Sequence, residues 1–113
     1  MRPLIVAPLI LVFALGASPS RAAPLWTFCV ASEYGTKDVW ITSLFSPTSD
    51  RERLEADLKV LLERQGHANI IAQCPRPSED KLSVVNAQTT ADAFNRNLGS
   101  VLHEVPPREF PPR

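Results

Sequence analysis

Two apolar segments near the start of the chain have the composition of β-strands. Residues 25–31 (Leu-Trp-Thr-Phe-Cys-Val-Ala) and 38–45 (Asp-Val-Trp-Ile-Thr-Ser-Leu-Phe) are rich in aromatic and β-branched side chains and contain neither glycine nor proline. The connection between them contains Gly35, and Pro47 closes the second segment. Because the connection is short, the two predicted strands form an antiparallel hairpin.

The pattern then changes to a helical period. Ser49 and Glu52 have the spacing of a capping box, which predicts that a helix begins here. A set of mostly apolar residues recurs every three or four positions, which places them on one side of the helix, and this side is predicted to be buried. Its positions are Leu54, Leu58, Leu61, Leu62 and Gln65. Gly66 follows, and glycine is favoured where a left-handed residue ends a helix.

The rest of the chain repeats the passage from strand to helix to strand. Residues 68–74 and 101–105 are the predicted strands, and between them Ser78 is the predicted cap of a helix that ends before Gly99. The predicted buried stripe of this second helix consists of Val84, Ala87, Ala91, Phe94 and Leu98.

The order β-β-α-β-α-β predicts an α+β domain over residues 23–105. Both strand–helix–strand passages should be right-handed crossovers. If they run in the same direction, both helices cover one face of a four-stranded mixed sheet and the domain has two layers. The proline-rich residues 106–113 cannot join a sheet and are predicted to be a disordered tail.

Residues 1–22 have the layout of a secretory signal peptide. Arg2 precedes an apolar run at 4–14, and Ser20 and Ala22 place small residues at −3 and −1 of a cut after Ala22. Pro8 interrupts the run, which is also shorter than the roughly 20 residues of a spanning helix. The chain is therefore predicted to be exported to the periplasm or the medium.

Charge excludes two classes of partner. Removal of the leader takes away Arg2 and Arg21, which leaves 10 basic residues, 12 acidic residues and a net charge of −2. Charges of both signs alternate along the chain rather than forming a basic stripe. Neither nucleic acid nor, after leader removal, an anionic membrane is a predicted partner.

Export changes the interpretation of the two cysteines. In an oxidising compartment, Cys29 and Cys74 are predicted to form a structural disulfide, since the chain has no other thiol and no Cys-x-x-Cys pair. A disulfide requires Cα atoms within about 7 Å, which favours neighbouring strands and a sheet order of 2-1-3-4. Which face of the sheet carries the disulfide stays open.

No motif indicates catalysis, a metal or a cofactor. The two cysteines and the two histidines, His67 and His103, lack the paired spacings of zinc ligands. Residues 78–81 match the Ser-x-x-Lys string of penicillin-recognising enzymes, but the Ser-Asp-Asn and Lys-Thr-Gly motifs of those enzymes are missing. The sequence therefore does not predict an enzyme.

Trp40, Thr42 and Leu44 are the candidate binding residues. Strand alternation places Trp26 and Phe28 on the helix-covered face and these three residues on the opposite face. In a two-layer domain that face is open to solvent or to a partner. In the alternative interpretation Trp40 shields the disulfide, or a bulge reverses the alternation.

Four short motifs resemble a pattern in small exported bacterial proteins of uncharacterised function. They are Phe28-Cys29-Val30, Val39-Trp40-Ile41-Thr42, Gln73-Cys74-Pro75 and Asn95-Arg96-Asn97-Leu98-Gly99. In that pattern a cysteine strand and an aromatic strand precede a Gln-Cys-Pro turn and a helix that ends before glycine. The resemblance covers most of residues 26–105 and implies no known activity.

The sequence favours an exported domain without enzymatic activity that binds an unidentified protein, or associates with itself, through the open sheet face. One alternative is a peptidoglycan or cell-wall binding module, by analogy with the small sheet domains of the SPOR group. Their order is β-α-β-β-α-β, so the analogy is with the architecture alone. Another alternative is an inhibitor of a secreted enzyme.

Overall fold

A computed structural model describes residues 23–112 of the chain, so the leader predicted at 1–22 lies outside the described residues. It confirms the α+β fold and the order β-β-α-β-α-β. The strands and helices are β1 (Val30–Glu33), β2 (Asp38–Thr42), α1 (Arg51–Arg64), β3 (Ile70–Gln73), α2 (Lys81–Asn97) and β4 (Val101–Val105). The strands form one mixed sheet in the order β3-β1-β2-β4.

The sheet order differs from the predicted one at a single strand. β1 pairs antiparallel with both β2 and β3, so the predicted hairpin and the predicted neighbour relation of the two cysteine strands are confirmed. β4, however, pairs in parallel with β2 rather than lying beside β3. The second crossover therefore runs from one edge of the sheet to the other, past both central strands.

This change places the helices on opposite faces, which corrects the expected two-layer arrangement. One buried cluster joins the α1 residues Leu54 and Leu58 to Trp40. The other joins Val84 of α2 to Val39 and Ile41. Two right-handed crossovers that run in opposite directions put their helices on opposite sides of a sheet. The domain thus has a helix on each side, and we call the two sides of the sheet the α1 face and the α2 face.

Alternation within the hairpin is as predicted up to Thr42, whereas Leu44 packs on the opposite face from the predicted one. Phe28 is buried with Val39 and Ile41 on the α2 face, where Trp26 and Val30 also pack. The regular strand β1 begins at Val30, five residues later than expected, whereas Trp26 and Thr27 form isolated bridges. The predicted parity holds because a side chain's face follows from strand period two, even where pairing is irregular.

Helix α1 packs as its spacing predicts, although it begins one residue later. The three leucines at i, i+4 and i+8, Leu54, Leu58 and Leu62, are buried in the α1-face cluster, and Leu61 packs at its edge. The N-cap is Asp50, whose carboxylate accepts the Arg53 amide at 2.8 Å, and not Ser49. An acidic N-cap also interacts favourably with the helix dipole. Gly66 has φ +95° after the last turn, as predicted.

Helix α2 differs more from its prediction. Asp80 is its N-cap and accepts the Ser83 amide at 3.2 Å, whereas the predicted cap, Ser78, pairs its backbone with Trp26. Val84 is the one fully buried residue among its 17 residues, and Ala91 is half-buried. None of the helices in residues 23–112 is long and apolar enough to cross a membrane.

The residues after β4 fold back onto the domain, which corrects the predicted disordered tail. Phe110 is 1% exposed and belongs to the α1-face cluster. Its ring meets that of Phe45 edge to face, with centroids 5.6 Å apart. A turn in which the amides of Glu109 and Phe110 donate to the carbonyl of Pro106 directs the chain back. Prolines exclude this segment from the sheet but not from the core.

The structure contains the predicted disulfide between Cys29 and Cys74. Their Cα atoms lie 4.1 Å apart across β1 and β3, and both residues are buried in the α1-face cluster. The α1 face is thus the side of the sheet that carries the disulfide. Closing a loop of this length stabilises a small domain by roughly 4 kcal/mol in the chain-entropy model.

The disulfide gives a direct chemical expectation. When the native protein is unfolded in denaturant without reductant, a thiol-alkylating reagent should add to neither Cys29 nor Cys74, because their sulfur atoms are bonded to each other. The chain has no other cysteine that could react. After reduction both residues should be labelled. Mass spectrometry of the intact protein measures the number of adducts, and two adducts before reduction would contradict the disulfide.

Candidate interaction surface

The structure does not bring the three candidate binding residues together on an accessible face. Trp40 is 5% exposed and Thr42 is 1% exposed, because α1 covers the side of the sheet on which they lie. Leu44 is half-buried and packs instead with the α2-face cluster. The expected open face depended on both helices sharing one side, so the change in sheet order removes it.

Trp40 lies in the core next to the two histidines of the chain. Its indole is stacked against His103 at 5.2 Å between centroids and meets His67 edge to face at 4.6 Å. It shares its buried cluster with Cys29 and Cys74, as the shielding interpretation expects. Trp40 therefore acts as a core residue rather than as a contact for a partner.

Each histidine is held by a carboxylate from the hairpin. His67 Nδ1 lies 3.1 Å from Glu33 Oε1, and His103 Nε2 lies 2.9 Å from Asp38 Oδ1. The second carboxylate oxygen of Glu33 also accepts the amide of Ala68 at 3.2 Å. Among residues 23–112, no group of three or more histidine, cysteine, aspartate or glutamate residues could hold a metal ion. These pairs orient the rings beside Trp40.

Thr42 has a structural role at the end of β2. Its hydroxyl accepts the amide of Cys29 at 2.9 Å and donates to the carbonyl of Ser43 at 3.0 Å. Its own carbonyl accepts a hydrogen bond from the side chain of Gln88 at 2.7 Å. Thr42 thus ties the disulfide strand and helix α2 to β2, since a buried hydroxyl and carbonyl must both be paired.

A cleft of about 500 Å³ lies where the parallel strands β2 and β4 end, beside α2. Its α2 side carries Gln88, Asp92 and Arg96. The guanidinium of Arg96 donates to Asp92 at 3.2 Å, so these opposite charges pair with each other on an exposed surface. Gln88 is bonded to the backbone of Thr42. These three α2 side chains therefore already have partners within the domain.

A different surface results from the incomplete burial of α2. Ala87, Ala91, Phe94 and Leu98 lie at i, i+4, i+7 and i+11, which places them along one side of the helix. We call these four residues the α2 stripe. Phe94 is 60% exposed and Leu98 is 64% exposed, while Ala91 is half-buried. The sequence correctly predicts that these residues share one side of α2. It also predicts that this side is buried, and the exposure of Phe94 and Leu98 corrects that prediction.

The α2 stripe continues onto the sheet. Ala91 borders a groove together with Val30 and Gln73, which lie side by side on β1 and β3. Ile71, two residues along β3 from Gln73, points to the same face and is 53% exposed. Helix α2 packs over β2 and β4, where Val84 and Val39 belong to one buried cluster and Leu102 packs against it. On the α2 face, the edge strand β3 therefore stays uncovered beside the stripe, with Ile71 and Gln73 exposed.

One sequence signal of this exposure was available. Gln88, Thr89 and Thr90 interrupt the middle of α2 with residues that are poor helix formers. Such a helix depends on packing for its stability, yet within the described residues its packing comes from Val84 and Ala91 with the support of the Gln88 hydrogen bond.

Comparison with protein-family models, curated proteins and solved structures found no match to this chain.

Proposed function

We propose that this protein is an exported, non-enzymatic domain that binds another protein chain through the α2 stripe. The observation that carries this proposal is the exposure of Phe94 and Leu98, each more than half accessible, on a helix whose apolar periodicity is that of a buried side. An amphipathic helix is stabilised by burial of its apolar side. A partner chain supplies the burial that this domain does not.

Two further features support binding rather than catalysis. The disulfide and the clusters on both faces make a rigid platform, which lowers the entropy cost of binding. The stripe itself consists of alanine, phenylalanine and leucine, which offer apolar area but no acid, base or nucleophile. The peptidoglycan-binding alternative depended on an open sheet face, which α1 covers, and no described feature favours the inhibitor alternative.

Export is supported by the disulfide, since such bonds persist in oxidising compartments. Together with the signal-peptide layout of residues 1–22, it supports a mature protein in the periplasm or the medium. We expect the exported product to begin at Ala23. N-terminal sequencing by mass spectrometry of the protein from the exported fraction measures this, and an intact leader on that product would contradict it.

Site-specific photo-crosslinking tests binding through the stripe. A photoreactive phenylalanine analogue placed at Phe94 in the full-length protein, expressed in cells of its source, should give a discrete covalent adduct after irradiation. The matched control position is Val60, which is 42% exposed on α1 and lies on the other side of the sheet. No adduct from position 94, or equal adducts from both positions, would contradict the proposed function.

A further inference from the structure

We propose that the partner on the α2 stripe is a second copy of this chain, in a two-fold symmetric dimer whose two α2 helices are antiparallel. This proposal rests on the proposed function, because it identifies the occupant of the same surface. Three observations carry it: the order of small and large residues along the stripe, the uncharged residues along its solvent side, and the exposed sheet residues next to it.

The stripe is self-complementary in size. Its small residues, Ala87 and Ala91, come first, and its large residues, Phe94 and Leu98, follow. A two-fold axis near the middle of the stripe reverses this order in the second copy. Ala87 then faces Leu98 of the second copy, and Ala91 faces Phe94. Because a two-fold interface brings one patch against itself, a gradient from small to large residues fills space in the antiparallel arrangement.

The border of the stripe is also compatible with a second copy. Ser83, Thr90 and Asn97 lie on its solvent side at seven-residue intervals, and all three are uncharged. The charged pair Asp92 and Arg96 lies on the opposite side of α2, at the cleft. Along the solvent side, two identical surfaces can meet without like charges opposing each other, and the groove on the other side of Ala91 carries one charge of each sign, Arg51 and Glu55. A strongly charged partner would find no complementary residue on this border.

The neighbouring sheet residues enlarge the contact. Ile71 is 53% exposed on the same face as Val30, beside the groove that Ala91 borders. The antiparallel pair of α2 helices gives each copy apolar surface for the other copy's Phe94 and Leu98. Net charge does not oppose association, since the sequence without its leader carries only a small excess of acidic residues.

Sedimentation equilibrium of the purified exported protein tests the dimer. A stripe of this size is smaller than a standard interface, so measurements should extend from about 10 μM to about 1 mM. We expect the mass to approach twice that of the protomer at the upper concentrations. Phe94→Gln should raise the dissociation constant of the dimer by a factor of about ten or more, which corresponds to a loss of about 1.4 kcal/mol of binding free energy. Val60→Gln, the matched exposed change on α1, should leave it unchanged.

A pair of size changes tests the antiparallel geometry. Ala87→Leu and Leu98→Ala each disturb the match between small and large residues, so each should weaken the dimer. Combined in one chain, they exchange the two sizes and should restore association to within about threefold of the unchanged protein. Ala87 and Leu98 are both exposed, so the fold should tolerate these changes, and circular dichroism of each variant verifies this.

The outcomes separate the dimer from the proposed function. A protomer mass at every concentration, or a dimer that Phe94→Gln does not weaken, overturns the dimer. Failure of the double change to restore association overturns its antiparallel arrangement. If the protein is monomeric and position 94 crosslinks to a different protein, the dimer is wrong and binding through the stripe stands. If position 94 gives no adduct and the protein is monomeric, both proposals are wrong.

Discussion

Trp40→Ala lowers the free energy of unfolding by about 3–5 kcal/mol, which is the expected cost of removing a large aromatic side chain from a core. The side chain is 5% exposed and packs in the cluster that joins α1 to the disulfide. Its loss also removes the stacked contact with His103 and the edge contact with His67. Urea unfolding followed by circular dichroism measures the change as a shift of the midpoint at constant slope.

Tyr34→Ala is the matched control for this change. Tyr34 lies in the turn between β1 and β2, next to the strand that carries Trp40, and is 76% exposed. Removing its ring should change the free energy of unfolding by no more than about 0.5 kcal/mol. If Trp40→Ala is too unstable to purify, Trp40→Phe should fold with a smaller loss, because it keeps an aromatic ring in the cluster. A loss from Trp40→Ala as small as that of the control would contradict its burial.

Phe110→Ala should also lower the free energy of unfolding by about 3–5 kcal/mol, although the sequence predicts a disordered tail for the segment that contains it. Phe110 is the largest of the side chains with less than 2% exposure, and its ring packs on Phe45. Thermal and urea unfolding of the variant measure the loss. Because the segment follows the last strand, β4, the change tests its docking without altering any helix or strand.

Arg108→Ala is the control for the tail. Arg108 is exposed in the turn that leads to Phe110, so its replacement should change the free energy of unfolding by no more than about 0.5 kcal/mol. A chain that ends after Val105 should be destabilised at least as much as Phe110→Ala, since it loses the same ring. If truncation after Val105 leaves the unfolding midpoint unchanged, the tail does not belong to the core.

The interaction surface shows how far a periodic pattern can be interpreted. The positions of Ala87, Ala91, Phe94 and Leu98 on one side of α2 follow from helical geometry, and the structure confirms that they share a side. Whether such a stripe meets the sheet, as Val84 does, or stays exposed, as Phe94 does, depends on which strands the helix crosses. For the same reason, the alternation of β2 identified the face of Trp40 relative to Val39 but not the helix that covers it.

Local chemistry determined much of this protein from the sequence alone. The spacing of Leu54, Leu58 and Leu62 produces α1, and Gly66 ends it, because both depend on backbone geometry within a few residues. The two cysteines of a chain predicted to be exported gave the disulfide and, through the short reach of that bond, the pairing of β1 with β3. The element order and the α+β class followed from the same local patterns.

Tertiary structure alone decided the position of β4 and, with it, the face on which α2 lies. An edge strand can pair at either side of a sheet, and no period within Val101–Val105 distinguishes pairing with β2 from pairing with β3. Its place beside β2 reversed the second crossover and put α2 on the face opposite α1. The cover over Trp40 has a different origin, since the crossover from β2 to β3 puts α1 on the Trp40 side wherever β4 pairs. The docking of Phe110 likewise depends on Phe45, far away in the sequence. Period and capping act within an element, whereas strand pairing and helix placement depend on the summed packing of distant segments.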